Sequence, residues 1–459
     1  VLHVAVVGSG PSGVYSAQEL VRRDGPPDVR VDVLDRLPCP YGLVRYGVAP
    51  DHEKIKSLQD NLRTVLEDER VRFLGGVQIG PGGVPVARLR EMYHAVVYCV
   101  GAATDRRLGI PGEDLPGSWS ATAFVSWYSA HPDAAAGSFV RGARSAVVIG
   151  VGNVAVDVTR ILARGAHELS ATDMPEAALA ALGASRITDI SMVGRRGPSQ
   201  ARFTTKELRE LGALPDVEVV VDPSEPALDP AWLDPSGLPA ARRRNVEVLR
   251  GWADAPPLGR ARRIRPRFFL RPVEILPDGG RVGAVRFERT APDGAGGVTG
   301  TGRFEEIPAD LVLRSVGYRG TPLDGLPFDP VLGTVPNLAG RVVRDGAVVP
   351  GAYVAGWIKR GPTGVIGSNR PCAKETVASL LEDAPVLLRR RIAADPLDAL
   401  RAAGVRPVAW SGWQAIERAE SDLGARLGRR RVKLPDWDAL WAAARADRSP
   451  GPERPSSAP

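Results

Sequence analysis

The sequence predicts an α/β protein with two separate parallel-sheet domains, on three observations. Residues 4–7 form a short apolar run that opens into Gly8-Ser9-Gly10-Pro11-Ser12-Gly13 and then a helical stretch to about Arg23. Residues 146–149 repeat the arrangement, opening into Gly150-Val151-Gly152-Asn153-Val154-Ala155 and a helix to about Arg164. Each unit is followed by further apolar runs that end at glycine. All-apolar strands entering glycine turns are the mark of parallel strands buried on both faces by helices. The two turns lie about 140 residues apart, which predicts two domains rather than a repeat within one sheet.

The remaining elements follow in chain order. Residues 29–34 are the second strand of the first unit, and 95–100 a later one ending at Gly101-Ala102. In the second unit, 187–193 runs into Gly194-Arg195-Arg196, and 310–315 into Val316-Gly317. Residues 216–310 read as a mixed β region, with strands at 217–221, 245–249, 268–276, 281–289 and 302–307. Residues 384–448 read as helical and carry Trp410, Trp413, Trp437 and Trp441, before a Pro/Ser-rich tail at 449–459 expected to be mobile.

Composition sets the limits. With 44% hydrophobic and 25% charged residues, the 459-residue chain has the balance of a soluble globular protein. The cysteines Cys39, Cys99 and Cys372 have neither the count nor the spacing for a disulfide framework, a Cys₄ zinc site, a cysteine-bound iron–sulfur cluster or a thioredoxin-like dithiol. No metal site is expected. No apolar run reaches the length of a membrane helix and no basic n-region opens the chain, so a cytoplasmic protein is expected. The net charge of +7 comes from 60 basic residues, only six of them Lys. Such a balance attracts an anion: nucleic acid, a phosphate cofactor or an acidic protein.

The glycine turns can hold phosphate. At the first, free N–H groups and the helix dipole suit a pyrophosphate; Gly8 permits the turn, Gly10 lets the phosphate approach and Gly13 lets helix and strand pack. Asp35 ends the next strand, where a carboxylate accepts the ribose hydroxyls of an adenosine without a 2′-phosphate. The second turn has Ala155 in the third glycine position, and its next strand ends in Arg195 and Arg196 rather than an acid. Two guanidiniums bind the 2′-phosphate that an acid would repel; a solvated basic turn is the alternative. One site is therefore expected to take FAD and the other NADPH.

Six motifs then occur in order: Gly8-Ser-Gly-Pro-Ser-Gly13, Tyr41-Gly-Leu-Val-Arg45, Gly47-Val-Ala-Pro-Asp-His52, Ile110-Pro-Gly-Glu-Asp114, Gly150-Val-Gly-Asn-Val-Ala-Val-Asp157 and Gly194-Arg-Arg-Gly-Pro198. After them come Phe203-Thr-Thr-Lys-Glu-Leu-Arg-Glu-Leu211 and Gly356-Trp-Ile-Lys-Arg-Gly-Pro-Thr-Gly-Val-Ile-Gly-Ser-Asn369. The chain resembles the ferredoxin–NADP⁺ reductases of the adrenodoxin reductase type, especially actinobacterial members, closely over about 1–383 and more loosely over 384–448. The resemblance implies a glutathione-reductase-like pair of Rossmann-like domains. The FAD domain would be discontinuous (1–104 and 320–448), with the NADP domain (105–319) inserted. It also implies hydride transfer from NADPH to noncovalent FAD, then one-electron transfers to a small iron–sulfur protein that can feed cytochrome P450s.

By matching position, the resemblance assigns Ser12, Asp35, Leu43, Val77, Trp357, Gly364, Val365 and Ile366 to FAD. It assigns Arg106, Val151, Gly152, Asn153, Val154, Arg195, Arg196, Glu207 and Gly364 to NADP. His52 and Glu210 match an active-site His–carboxylate couple, although His52 by itself reads as a structural histidine. Glu207 and Glu210 are three apart on one helix face, so which of them pairs with His52 stays open. Arg242, Arg243 and Arg244 open a basic run, continued by Arg250, Arg260, Arg262, Arg263, Arg265, Arg267 and Arg271. By the resemblance, Arg242, Arg243 and Arg244 fall in the region where the family docks an acidic ferredoxin, a solvated Arg-rich face being the alternative. Nucleic acid is not expected, because adjacent Phe268 and Phe269 on a strand make a poor stacking platform. The family default is a monomer. An NADPH-dependent flavin monooxygenase and a nucleotide-binding module without turnover are the competing readings.

Overall fold

The computed structural model describes residues 1–22, 27–134, 139–392 and 395–446. The expected end of the first helix at Arg23 and the expected tail at 449–459 lie outside them. The chain divides into two compact units. Unit 1 comprises Val1–Val48, His52–Thr104 and the chain from Tyr318 on; unit 2 comprises Ala49–Asp51 and Asp105–Gly317.

Unit 1 is built on a seven-stranded sheet. Across it lie Asn337–Leu338, Arg341–Arg344, Ala347–Val354, Ala95–Tyr98, Leu2–Val7, Val29–Leu34 and Val71–Leu74. The last five are parallel, and the first two extend the sheet antiparallel. Val4, Val6, Val31, Val33 and Val97 face one core, and Ala5, Val7, Val96 and Tyr98 the other. A sheet buried on both faces needs apolar residues at successive positions, and that is what residues 4–7 and 95–98 supply. Helix Pro11–Val21 packs against the long helix Asn369–Leu387.

The C-terminal part of unit 1 continues with helices Pro396–Ala402, Trp410–Arg426 and Trp437–Arg445. Trp413 is fully buried, its ring edge-on to Tyr41 at 5.9 Å. Beside them Arg45 and Glu420, both buried, form a two-pronged ion pair at 2.5 and 3.1 Å. The Arg45 guanidinium also lies 5.0 Å from the centre of the Trp413 ring, and Lys433 Nζ donates to the Arg45 carbonyl at 2.6 Å. These contacts tie the 410–434 region to the Tyr41–Arg45 motif.

Unit 2 contains a six-stranded, wholly parallel sheet, in the order Ser118–Ser120, Leu311–Arg314, Ser145–Ile149, Asp189–Val193, Arg262–Arg267, Val217–Val219. A second sheet of three antiparallel strands, Leu270–Asp278, Arg281–Pro292 and Val298–Pro308, is inserted in the chain between its strands Arg262–Arg267 and Leu311–Arg314.

Two expected strands are corrected. Residues 245–249 lie within the helix Ala240–Ala253, not a strand. Asn245, Val246 and Leu249 are its buried positions, while Arg242, Arg243, Arg244 and Glu247 are exposed, a helical rather than a two-residue period. Val246 and Val248 alternate with Asn245 and Glu247, which locally mimics a strand. The expected strand at 268–276 is broken at its start. The chain leaves the parallel sheet after Arg267 and turns at Phe269, whose φ is +57°, before entering Leu270–Asp278. Phe268 and Phe269 are both buried, so neither offers a stacking surface.

Candidate active site

In unit 1 the first glycine turn has three glycines with three different constraints. Gly8 has φ +107°, and a Cβ there would lie 2.5 Å from the Cys99 carbonyl oxygen. A Cβ on Gly13 would lie 1.8 Å from the Gly8 oxygen, so helix and strand meet only through glycine. At Gly10 an added Cβ would meet only Gly42 Cα, at 3.8 Å. Nothing else among the described residues crowds that position, which leaves it open to a ligand. Ser12, on the first helical turn, has a buried Oγ with no hydrogen-bond partner among the described residues.

Asp35 ends the strand Val29–Leu34 and turns back onto this loop. Its Oδ2 accepts from Ser9 Oγ (2.5 Å) and Ser9 N–H (2.8 Å), and its Oδ1 from Leu37 N–H (2.9 Å). Burial pushes the carboxyl above the usual range, against these three bonds. Ser9 and Leu37 thus fix the direction in which Asp35 presents its remaining acceptor capacity. Val77 is buried, and its N–H donates to the Asp35 carbonyl. Leu43 is exposed at the start of a short helix, Leu43–Tyr46.

A second segment of unit 1 follows the strand Ala347–Val354. Trp357 opens a short helix and tilts its ring against Tyr318, with centroids 5.3 Å apart. The chain then passes Gly361 and Gly364, both at positive φ, and exposes Gly364 and Val365. Side chains pin this loop: Ser368 Oγ accepts from Val365 N–H (3.1 Å), and Asn369 Nδ2 donates to the Ile366 carbonyl (3.0 Å). His52 is buried, and its carbonyl begins the helix Glu53–Lys56 by accepting from Ile55 and Lys56 N–H.

In unit 2 Gly150 repeats the role of Gly8, with φ +141° and a virtual Cβ 2.2 Å from the Ser315 oxygen, whereas Gly152 faces open space. Val151, Asn153 and Val154 are half-buried around it. Asn153 Oδ1 accepts the Thr204 N–H (2.8 Å), joining this turn to the helix Thr205–Gly212, and Arg202 N–H donates to the Val151 carbonyl (2.8 Å). Arg195 is exposed and Arg196 half-buried at the end of Asp189–Val193. Burial and the neighbouring cations Arg195, Arg202 and Arg242 lower the Arg196 pKa. Arg106 is exposed, and its N–H donates to the Gly317 carbonyl.

Glu207 and Glu210 lie on the helix Thr205–Gly212 and meet a second helix, Asn153–Ala163. From it Arg160, completely buried, reaches Glu210 at 3.3 Å, Glu207 at 3.9 Å and Asp157 at 2.9 Å. The same guanidinium holds Asp51 in a fork, at 2.7 and 3.0 Å.

Residues 2–191 match the pyridine nucleotide-disulphide oxidoreductase family. The chain is 45% identical to the NADPH-ferredoxin reductase FprA of Mycobacterium tuberculosis, over 94% of its own length and 96% of that protein's. It is 39% identical to the mitochondrial NADPH:adrenodoxin oxidoreductase of Arabidopsis thaliana, over 96% and 95%. The chain belongs to the NADPH-ferredoxin and NADPH:adrenodoxin reductase family. The structure of M. tuberculosis FprA in complex with NADPH matches it with a TM-score of 0.90 at 43% identity, covering 96% of this chain and 99% of that one.

As a member of this reductase family the chain is an oxidoreductase. Cys39, Cys99 and Cys372 are free and buried, and burial pushes the first two thiols up to about 11 and about 12. The family's groups, FAD and NADPH, fit the residues present. The unpartnered Ser12 Oγ and the open approach at Gly10 suit a pyrophosphate in unit 1. Gly152 and the cations around Arg196 suit a phosphorylated dinucleotide in unit 2. Among the described residues no helix is long and apolar enough to cross a membrane.

Sequence reasoning missed Ser9, Arg202, Asp51, Asp157 and Arg160. The available signal for Arg160 was a charge in the run Val156–Leu162, where a helix packed on a sheet should present an apolar face.

Proposed function

We propose that the chain is an FAD-dependent NADPH:ferredoxin oxidoreductase, with FAD held by unit 1 and NADPH by unit 2. The observation that carries this is the pair of unlike cradles: one closed by the acid Asp35, the other by guanidiniums around Arg196. An acid selects a ribose with free hydroxyls and repels a 2′-phosphate, and a cluster of cations does the reverse. FAD held by these residues would supply the redox chemistry that links a two-electron donor, NADPH, to a one-electron acceptor.

The chain's own residues supply position and electrostatics. Gly8, Gly10, Ser12 and Gly13 seat the pyrophosphate of FAD, and Asp35 takes the ribose. Leu43, Val77, Trp357 and the loop Gly364-Val365-Ile366 line the rest of that site. Arg106, Val151, Gly152, Asn153, Val154, Arg195, Arg196 and Glu207 would hold NADP, and Gly364 is assigned to it as well. His52 and Glu210 tune hydride transfer. The acceptor is a small acidic iron–sulfur protein.

Its docking surface is narrower than the basic run suggests. Arg263 and Arg265 pair with Asp189 at 3.2 and 3.6 Å, and Arg267 with Glu225 at 2.6 Å and Glu305 at 2.5 Å. Arg271 pairs with Glu288. These guanidiniums are partly neutralised within the fold, whereas Arg242, Arg243 and Arg244 are exposed on the helix Ala240–Ala253, with Glu247 near Arg243 at 3.8 Å. They are the residues we assign to docking.

Anaerobic titration with NADPH tests the reading. The purified protein should be yellow, bleach with one equivalent of NADPH and pass electrons to cytochrome c only with an acidic ferredoxin. The ferredoxin-dependent rate should fall steeply with ionic strength, as exposed charge pairs are screened. Bleaching without any ferredoxin reduction would remove the proposed acceptor.

A further inference from the structure

We infer that Arg160 is the positioning residue of the hydride-transfer site, holding four carboxylates of unit 2 in one fixed arrangement. This rests on the assignment of Glu207 and Glu210 proposed above and deepens it. Arg160 is completely buried, on a helix whose neighbouring positions Val156, Val158, Ile161 and Leu162 are buried and apolar. A guanidinium there must justify its desolvation with partners, and it has several. Nε and one terminal nitrogen fork onto Asp51 at 2.7 and 3.0 Å. The other terminal nitrogen faces Asp157 at 2.9 Å, Glu210 at 3.3 Å and Glu207 at 3.9 Å. Burial opposes the Arg160 charge, but Asp51, Asp157 and Glu210 overrule it and hold the group cationic.

Arg164 adds a second cation at 3.3 Å from Asp51. The cluster therefore formally sets Arg160 and Arg164 against Asp51, Asp157, Glu207 and Glu210, leaving an excess of negative charge. Packed without a central cation, four carboxylates would repel one another and their helices would separate. Arg160 instead fixes the direction of Asp51 through its fork and draws the other three toward one nitrogen. Glu210 is left with its outer face toward solvent, being half-exposed, while Asp157 and Glu207 are held deeper. The fork onto Asp51 also fixes the residue that immediately precedes His52 in the chain. One side chain thus anchors the helix that carries Glu207 and Glu210 and the residue next to His52. Lysine cannot replace it, because a single ammonium has no planar fork and cannot face Asp51 and the three other carboxylates at once.

The test is rapid-mixing reduction of the FAD-loaded protein by NADPH, with Arg160→Lys and Arg160→Ala. Arg160→Lys should keep full FAD content and an NADP⁺ dissociation constant within about 3-fold, while its limiting reduction rate falls at least about 10-fold. In Arg160→Ala, added guanidinium should raise the rate at least about 5-fold and methylammonium should not, because only the planar ion restores the fork. A reduction rate in Arg160→Lys within about 2-fold of the parent would overturn the inference. So would equal rescue by both ions, or loss of FAD from both variants, which would make the residue purely structural. Glu210→Gln separates the two layers of the argument. An unchanged rate there defeats the assignment of Glu210, whereas a slow Glu210→Gln beside a normal Arg160→Lys defeats only the role of Arg160.

Discussion

Replacing Arg196 with Ala probes the discrimination between NADPH and NADH directly. Its guanidinium is half-buried, and burial together with Arg195, Arg202 and Arg242 lowers its pKa. A cation held among cations is unfavourable in the free protein and becomes favourable once a dianion arrives. A charge-assisted hydrogen bond is worth about 1.5–3 kcal/mol, and partial solvent screening brings the expected loss to about 1.5–2 kcal/mol. At about 1.4 kcal/mol per decade, kcat/KM for NADPH should fall about 10–30-fold. NADH lacks the phosphate and should change by less than about 2-fold. Steady-state ferricyanide reduction with each nucleotide measures both numbers in one preparation. Removing Arg196 also removes repulsion, so the thermal midpoint of the nucleotide-free protein should hold or rise slightly. Equal losses with NADPH and NADH would refute the reasoning, since a residue that acts through the fold cannot tell the two apart.

Three further outcomes are expected. His52→Gln should slow flavin reduction while FAD stays bound; a protein purified without FAD would show a structural histidine. Glu420→Ala should cost unit 1 about 3–5 kcal/mol in urea unfolding, because it strands the buried Arg45 charge. A loss under about 1 kcal/mol would mean that water reaches Arg45. Glu113 tests acid stability. Burial opposes its ionisation, but the Leu108 and Gly109 N–H groups at 2.8 Å and the Arg314 guanidinium hold its carboxyl below the usual 4.5. A depressed folded pKa contributes stability above the unfolded value and loses it as pH falls through the folded one. The thermal midpoint of Glu113→Gln should therefore lie below the parent's at neutral pH, with the gap closing below about pH 4.5. A gap independent of pH would trace it to packing.

The parallel strands and both glycine turns could be read from the sequence because each depends on neighbouring residues alone. A strand buried on both faces must be apolar throughout, and Gly8 and Gly150 must be glycine to adopt positive φ. The helix Ala240–Ala253 was hidden because Val246 and Val248 alternate, and only the tertiary environment decides that Asn245 and Leu249 share the buried face. Phe269 carries a positive φ without being glycine, so nothing local announced the turn there. Asp35 was legible as the acid at a strand end. Its dependence on Ser9 was not, because that bond spans 26 residues. Arg160 was the largest omission. Its partners Asp51, Glu207 and Glu210 come from distant stretches of chain, and only the folded unit brings them to one guanidinium.

The discontinuity of unit 1 has a consequence for synthesis. Arg45 precedes Glu420 by 375 residues, a gap of roughly 20–75 s at translation rates of about 5–20 residues per second. For the part of that interval between Tyr98 and Ala347, roughly 12–50 s at the same rates, the strand Ala95–Tyr98 lacks its neighbour Ala347–Val354, and one edge of the nascent sheet stays unpaired. Unit 2, apart from Ala49–Asp51, is one continuous stretch ending at Gly317. Its strands are therefore all available while the final pieces of unit 1 are still being made. The inserted half of the chain can close its core first, and the half begun at the N-terminus closes last. A cell producing this protein must shield an apolar sheet edge for roughly 12–50 s, and crowding or ribosome stalling after Gly317 is the condition under which the chain would aggregate.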